Sequence, residues 1–246
     1  MQIALLSDIH ANREAFEAVL SAARAEGAEK LVLLGDIVGY GADPEWCIDR
    51  AAALVAQGAI VLRGNHDQAV GDMSVSLNGM ARLSLQWTRN QLDDRARSFL
   101  AALPLEAHLG NLLFVHASAE KPARWKYVLG VREAAAHLAA CDTGISFCGH
   151  VHVPALYCTT PVNKVIGFPP GDQVPIPLSD QRQWLAVMGS VGQPRDGNPL
   201  AAFGLFDTER HELRFMRVPY DIETAATKIL AAGLPAYLAD RLRKGI

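Results

Sequence analysis

With 246 residues, the chain has room for one large domain or two small ones and can bury a core without staples. Hydrophobic and charged fractions of 50% and 20% are those of an ordinary globular protein, and no apolar run reaches the roughly 20 residues a membrane span needs. A net charge of −3 provides no basic footprint for nucleic acid, although bound metal ions could still supply local positive charge to a small anionic substrate.

Cys47, Cys141, Cys148 and Cys158 form no Cys-x-x-Cys pair, which leaves zinc-ribbon and thioredoxin readings without support. Reduced, mostly buried thiols are expected. Met1 leads directly into an apolar run with no signal-like leader, and the expected location is the cytoplasm.

Gln2 to Leu6 reads as a short buried strand. Asn12 can cap a helix that Gly27 ends, with Ala15, Phe16, Val19, Leu20 and Ala23 at helical spacing. Lys30 to Leu34 is a second strand. Asp43-Pro44 is a cap followed by Pro at the first helical position, opening a helix to Gly58. Ala59 to Leu62 is a third strand. Strand, helix, strand, helix, strand predicts parallel pairing with helices covering the sheet.

Residues 68–103 read as helices, one carrying Met80, Leu83, Leu85 and Trp87 and another beginning near Asp93. Leu105 to Leu109 and Leu112 to Val115 flank the hairpin signal Gly110-Asn111. A helix over Val131 to Ala140 and a strand over Gly144 to Cys148 follow. After residue 154, strand-like runs suggest antiparallel hairpins: Ala155 to Cys158, Val174 to Pro177, Trp184 to Met188, Ala201 to Phe206 and Glu212 to Val218. A helical tail starts near Asp221, and its basic end, Arg241 to Lys244, reads as solvated. The change in style along the chain reads as a change of layer within one domain, residues 1–246.

Five polar clusters stand at the carboxyl ends of apolar runs: Asp8/His10, Asp36, Asn65/His66, His116 and His150/His152. In open α/β sheets those ends are where ligands bind. His108, His137 and His211 lie outside the clusters and read as surface or packing residues. Each cluster alone has a plain structural reading: Asp36 as a turn residue, His116 as a hydrogen-bonded core histidine, Gly35, Gly64 and Gly149 as turn formers. Together they offer oxygen and imidazole ligands without thiolate, a set suited to Mn, Fe, Co, Ni or Zn. Seven candidates are too many for one ion and suit two ions roughly 3.5–4 Å apart, a recurrent device for phosphoester cleavage.

Asp8-Ile9-His10, Gly35-Asp36, Gly64-Asn65-His66-Asp67, His116 and Gly149-His150-Val151-His152 occur in an order and spacing that resemble the calcineurin-like metallophosphoesterases, specifically the small prokaryotic phosphoesterases. The resemblance implies an α/β (α+β) fold, a four-layer αββα sandwich of two mixed β-sheets flanked by helices. It implies two divalent transition-metal ions per chain, manganese first among them. Asp8, His10 and His152 would hold one ion, Asn65, His116 and His150 the other, and Asp36 would bridge them. A metal-bound hydroxide would attack phosphorus, Asn65 would also contact the substrate, and His66 would be the general acid. The expected activity is hydrolysis of small phosphomonoesters or phosphodiesters, nucleotides among them; a non-catalytic scaffold on the same fold and a nuclease are the alternatives.

One departure stands out. Where many family members carry Gly-Asp-x-x-Asp-Arg-Gly, this chain has Gly35-Asp36-Ile37-Val38-Gly39-Tyr40-Gly41. The usual carboxylate partner of the acid histidine and one phosphate-gripping arginine are therefore missing, which argues against a protein serine/threonine phosphatase. Asp67 neighbours His66, but adjacency sets no geometry. The segment Gly189 to Gly197 offers replacements: Arg195 for a substrate phosphate, with exposed amides near Gly192 in support. Arg124, Trp125, Lys126 and Tyr127 follow His116 at a plausible rim, placed to select a nucleotide or aromatic leaving group. The expected partner is a small phosphorylated substrate, with no membrane and no nucleic acid; the oligomeric state stays open.

Overall fold

The structure, a computed structural model, describes residues 1–75, 77 and 79–246. The first five elements are β1 (Gln2–Leu6), α1 (Arg13–Ala25), β2 (Lys30–Leu33), α2 (Pro44–Ala56) and β3 (Ile60–Val61). β1–β2 and β2–β3 pair in parallel, as the alternation predicts. Asn12 caps α1 by accepting from Ala15 N at 3.1 Å. Asp43 stands at the N-cap position of α2 but makes no capping bond; its carboxylate instead pairs with Lys228 at 2.9 Å. The ion pair supplies a stronger donor than the backbone amide that a cap would serve.

Next come α3 (Asn65–Gly71), α4 (Gly79–Gln91), α5 (Asp94–Ala102), β4 (Glu106–Leu109), β5 (Leu112–Val115), α6 (Val131–Ala139) and β6 (Ile145–His152). The helical expectation over 68–103 holds for these elements, and the part falling on Ser76 and Asn78 lies outside the described residues. The chain continues through β7 (Ala155–Thr159), β8 (Val165–Phe168), β9 (Ile176–Pro177), β10 (Trp184–Gly189), β11 (Ala201–Asp207), β12 (Glu212–Val218), α7 (Ile222–Ala231) and α8 (Ala236–Lys244).

Among the described residues, the strands form two six-stranded mixed sheets, ordered β3-β2-β1-β11-β12-β9 and β4-β5-β6-β10-β7-β8. The antiparallel style expected after residue 154 holds for β7, β8, β11 and β12, but β10 runs parallel to β6. The second half therefore completes both sheets.

Side-chain alternation explains the layers. Ile3 and Leu5 of β1 join Val32, Phe114, Phe147, Met188 and Phe206 between the sheets. Ala4 and Leu6 of the same strand face α1 and α2, with Phe16, Val19 and Ile48. On the outer face of the other sheet, Val115, Leu185 and Val187 pack against Ala134 and Leu138 of α6. With both faces covered, the parallel strands read as unbroken apolar runs. This is the four-layer αββα sandwich, and it brings the carboxyl ends of β1, β2, β5 and β6 to one edge. Among the described residues, no helix is long and apolar enough to cross a membrane.

Candidate metal centre

Each expected ligand follows a strand or opens a helix at that edge. Asp8 and His10 leave β1, Asp36 follows β2, His116 follows β5, and His150 and His152 occupy the end of β6. Asn65 is the first residue of α3, which starts at the cluster the sequence reads as a loop, because Gly64 has no side-chain cap to announce it. Similarly, β6 runs on through the histidines instead of stopping at Cys148, since its pairing with β10 resumes at His152 after a register shift. Asp8, His10, Asp36, His150 and His152 all have positive φ, from 51° to 68°. Such backbone costs about 1–2 kcal/mol per non-glycine residue and concentrates where function requires it. Gly149 must be glycine, because a Cβ there would collide with Ser7 Oγ.

The polar atoms converge in two buried groups. In the first, His10 Nε2 lies 3.1 Å from His152 Nε2 and 3.8 Å from Asp8 Oδ1, and His152 Nε2 lies 3.3 Å from Asp8 Oδ1. In the second, His116 Nε2 lies 3.2 Å from both Asn65 Oδ1 and His150 Nδ1. Asp36 Oδ2 stands between them, 3.7 Å from His10 Nε2 and 3.4 Å from His116 Nε2. Donors about 2.1 Å from one ion are about 3–3.4 Å from each other, close to these separations. Asp8–His10–His152 and Asp36–His116–His150 therefore fit metal sites. The His10–Asp36–His66 group satisfies the same distance criterion.

The hydrogen bonds around the centre settle which atoms are free. Nδ1 of His10 is 3.1 Å from Val38 O, Nδ1 of His116 is 2.9 Å from Leu34 O, and Nδ1 of His152 is 2.7 Å from Gln193 O. His150 uses its other nitrogen, Nε2, on Trp125 O at 3.1 Å. A carbonyl only accepts, so each of these nitrogens carries a proton, and in the neutral ring the second nitrogen is a bare lone pair. Asp8 Oδ2 accepts from Ser7 Oγ and His150 N, while Oδ1 has no partner. Asp36 Oδ1 accepts from His66 N, which leaves Oδ2 for the centre. Bare acceptors thus face bare acceptors at about 3 Å in a buried site, an arrangement that needs a cation.

The electrostatics agree. Burial opposes charge on Asp8 and Asp36, but the facing imidazoles outweigh it and both carboxyls lie below their usual range. Burial also opposes a charge on His116, yet Asp36 raises it to about 9. Burial lowers His150 to about 3, with His116 adding to the effect. The buried carboxylates therefore favour positive charge among these acceptors.

His66 is buried, but its Nδ1 has no partner. Asp67 does not orient it. Asp67 Oδ1 accepts from Ile37 N and Val38 N, and Oδ2 from Gly64 N, so the carboxylate braces the Asp36 loop. Burial and the Asp36 charge raise Asp67 to about 7. Packing holds His66: its ring is 4.8 Å from His10 and 4.7 Å from Tyr40, and a Cβ on Gly39 would collide with Nδ1. Tyr40, noted in the sequence only as a missing arginine, fills the place beside the histidine. Burial lowers His66 to about 4 despite Asp36.

The Gly189–Gly197 segment reaches the centre, but the amides at and beside Gly192 are already committed. Val191 N and Gly192 N donate to Ser7 O and Asp8 O, and Gln193 N to Ser190 Oγ. The glycine-rich turn is committed to holding the Asp8 loop, because every amide buried there needs an acceptor. Arg195 lies over Tyr40 at 5.5 Å, its Nη2 donates to Gln193 Oε1, and its Nε is buried without a partner. Trp125 and Tyr127 lie against His116 and His150.

A two-sheet αββα sandwich with buried Asp/His clusters at its strand ends defines the metallophosphoesterase class. Comparison with known proteins agrees: the chain belongs to the calcineurin-like phosphoesterase superfamily, whose domain profile matches residues 1–211. An uncharacterized protein of Methanocaldococcus jannaschii is 34% identical over 251 residues, covering 99% of this chain and 98% of the relative. The crystal structure of a metallophosphoesterase from Sphaerobacter thermophilus superposes with a TM-score of 0.87 at 36% identity, covering 100% of both chains. A hypothetical protein from Pyrococcus horikoshii OT3 shares the fold with a TM-score of 0.78 at 21% identity, covering 100% of this chain and 98% of that one.

Proposed function

We propose that the chain is a cytoplasmic, dinuclear-metal-dependent phosphoesterase, one domain over residues 1–246, that hydrolyses small phosphomonoesters or phosphodiesters. One observation carries this reading: two sets of bare, buried acceptor atoms share Asp36 Oδ2. Asp8, His10 and His152 would hold one divalent ion, Asn65, His116 and His150 the other, with Asp36 between them. The donor chemistry favours manganese, with iron, nickel, cobalt or zinc as further fits. Ions bound there would acidify a water and draw negative charge from the phosphoryl oxygens.

The chain's own groups do the rest. The backbone carbonyls of Val38, Leu34, Trp125 and Gln193 fix the ligand tautomers. Arg195, with an unpartnered Nε, grips a phosphoryl oxygen, and Asn65 contacts the substrate as well as its ion. His66 delivers the proton to the leaving oxygen. Burial lowers it to about 4, and a substrate phosphate beside it would raise it toward the protonated form that an acid needs. Protonation is thereby tied to substrate binding.

Metal analysis after chelation and reloading with manganese tests the reading. About two ions per chain and recovery of phosphoester hydrolysis are expected. A well-folded protein that binds none, or binds two yet hydrolyses neither monoesters nor diesters, overturns it.

A further inference from the structure

Beside the Asn65 and His150 end of the centre the surface opens into a cleft of about 600 Å³, within the range of sites that take small ligands. Its lining is aromatic and polar together: Tyr40, Trp125 and Tyr127, with Gln68, Asp72 and Arg124.

Tyr127 stacks on the ligand His150 at 3.9 Å and 21° and stays 46% exposed, so the ring continues the centre's platform outward. Trp125 packs edge-on against His116 at 5.8 Å, and its indole N–H is buried with no acceptor. Its backbone is left-handed, with φ 52° and ψ 39°. For a bulky residue that conformation is rare, and it persists here where Trp125 O meets His150 Nε2. A strained residue with an unmatched donor, lining an open cleft beside the centre, calls for a ligand that brings an acceptor. Asp72 places a carboxylate in the same cleft, held low by Ser74 and Gln68. Arg124 lines the cleft as well and offsets that charge. Arg195 lies elsewhere, over Tyr40. Metal ions held in the centre would take the phosphate, which leaves the cleft to the rest of the substrate.

A planar ring with acceptor atoms, joined to hydroxyls, meets every one of these conditions. We propose that this cleft is a nucleoside subsite, in which a nucleobase stacks on Tyr127 and accepts from the Trp125 N–H while Asp72 or Gln68 meets a sugar hydroxyl. The proposal rests on the phosphoesterase reading and names its substrate class as nucleotides. Trp125 and Tyr127 are the residues that set specificity.

Two measurements test it. With the manganese-loaded protein, kcat/KM is compared for adenosine monophosphate and glycerol 3-phosphate. With the chelated protein, binding of labelled adenosine monophosphate is read by equilibrium dialysis. The wild-type ratio is expected to favour the nucleotide by at least about tenfold, and to fall about tenfold in Trp125→Leu and Tyr127→Leu. Dividing by the glycerol 3-phosphate value removes any effect passed to His116 or His150. Trp125→Phe, which keeps the ring but not the N–H, should fall in between. If glycerol 3-phosphate is hydrolysed but the ratio is unchanged in all three variants, the subsite is wrong and the phosphoesterase reading stands. If neither compound is hydrolysed, yet the chelated protein binds the nucleotide and the variants lose it, the subsite stands and the phosphoesterase reading fails.

Discussion

His137 and the histidines of the centre are equally buried, but their lone pairs are matched differently. His137, on α6, is 0% exposed. Its Nδ1 accepts from Ala119 N at 3.0 Å, and its Nε2 meets Ser146 Oγ, 3.1 Å away, whose own proton goes to Trp184 O. Both ring nitrogens are satisfied by protein. His10, His116, His150 and His152 each give one nitrogen to a carbonyl and turn the other toward equally bare acceptors. Burial alone therefore does not mark a metal ligand; unmatched lone pairs that face each other do.

The largest expected effect comes from removing the atom that both groups share. Asp36→Asn keeps an oxygen for His66 N but loses the charge facing His10 and His116. Turnover is expected to fall on the order of 10³-fold, with most of the metal lost, as read by steady-state kinetics and metal analysis. His137→Gln, measured alongside, should retain full metal content. Equal metal loss in both variants would erase the distinction between the two environments.

His66→Ala ranks next. Its Nδ1 is unpartnered and its ring only packs on His10, so metal content should hold while kcat falls about 10²–10⁴-fold on alkyl phosphates. A p-nitrophenyl leaving group, which needs no proton, should lose far less. An equal loss on both substrates would assign His66 to the metal instead, consistent with its place within reach of His10 and Asp36.

Much of this centre is legible in the sequence because each candidate ligand follows an apolar run whose two faces are covered. Asp8, Asp36 and His116 stand just past apolar runs that read as strands in the sequence itself. What the sequence hides has physical reasons. β8 (Val165–Phe168) is an edge strand with three of its four residues exposed, so it shows no alternation, and it was not predicted. The parallel β6–β10 pairing joins residues far apart in the chain, and nothing in either run signals its direction. The role of Asp67 in bracing Ile37 and Val38, and the packing of Tyr40 on His66, are tertiary facts. The motif supplies residue types but not where they point.

Acid sharpens the comparison on a smaller scale. Burial lowers His137 to about 4 from 6.5. As pH falls below 6.5, the unfolded chain takes the proton and the folded one does not. Stability linked to His137 is therefore full above 6.5 and lost progressively toward pH 4, by about 3 kcal/mol. In denaturant melts, His137→Gln should flatten the wild-type slope in that window by about this amount. At the centre, acid should instead release metal, because protons compete for the bare nitrogens, and the release midpoint should be the same in His137→Gln. A shifted midpoint would mean that the two environments are coupled.

The smallest effect concerns the one buried histidine, among the described residues, that fits neither class. His66 Nδ1 is buried and bare, like the nitrogens of the centre, but it faces Gly39 and the Tyr40 ring. Gly39 has φ 92°, and any Cβ there meets that nitrogen. Gly39→Ala should therefore destabilise the fold by about 1–2 kcal/mol from backbone strain. By displacing the imidazole it should also lower kcat on alkyl phosphates by about tenfold, with metal content unchanged. Gly39→Asp separates crowding from a missing partner, since it supplies a carboxylate at the same cramped position. If packing positions His66, the Asp variant is at least as impaired as the Ala variant. If it turns over faster than wild type, the bare Nδ1 is an incomplete acid dyad, and Tyr40 is only a neighbour.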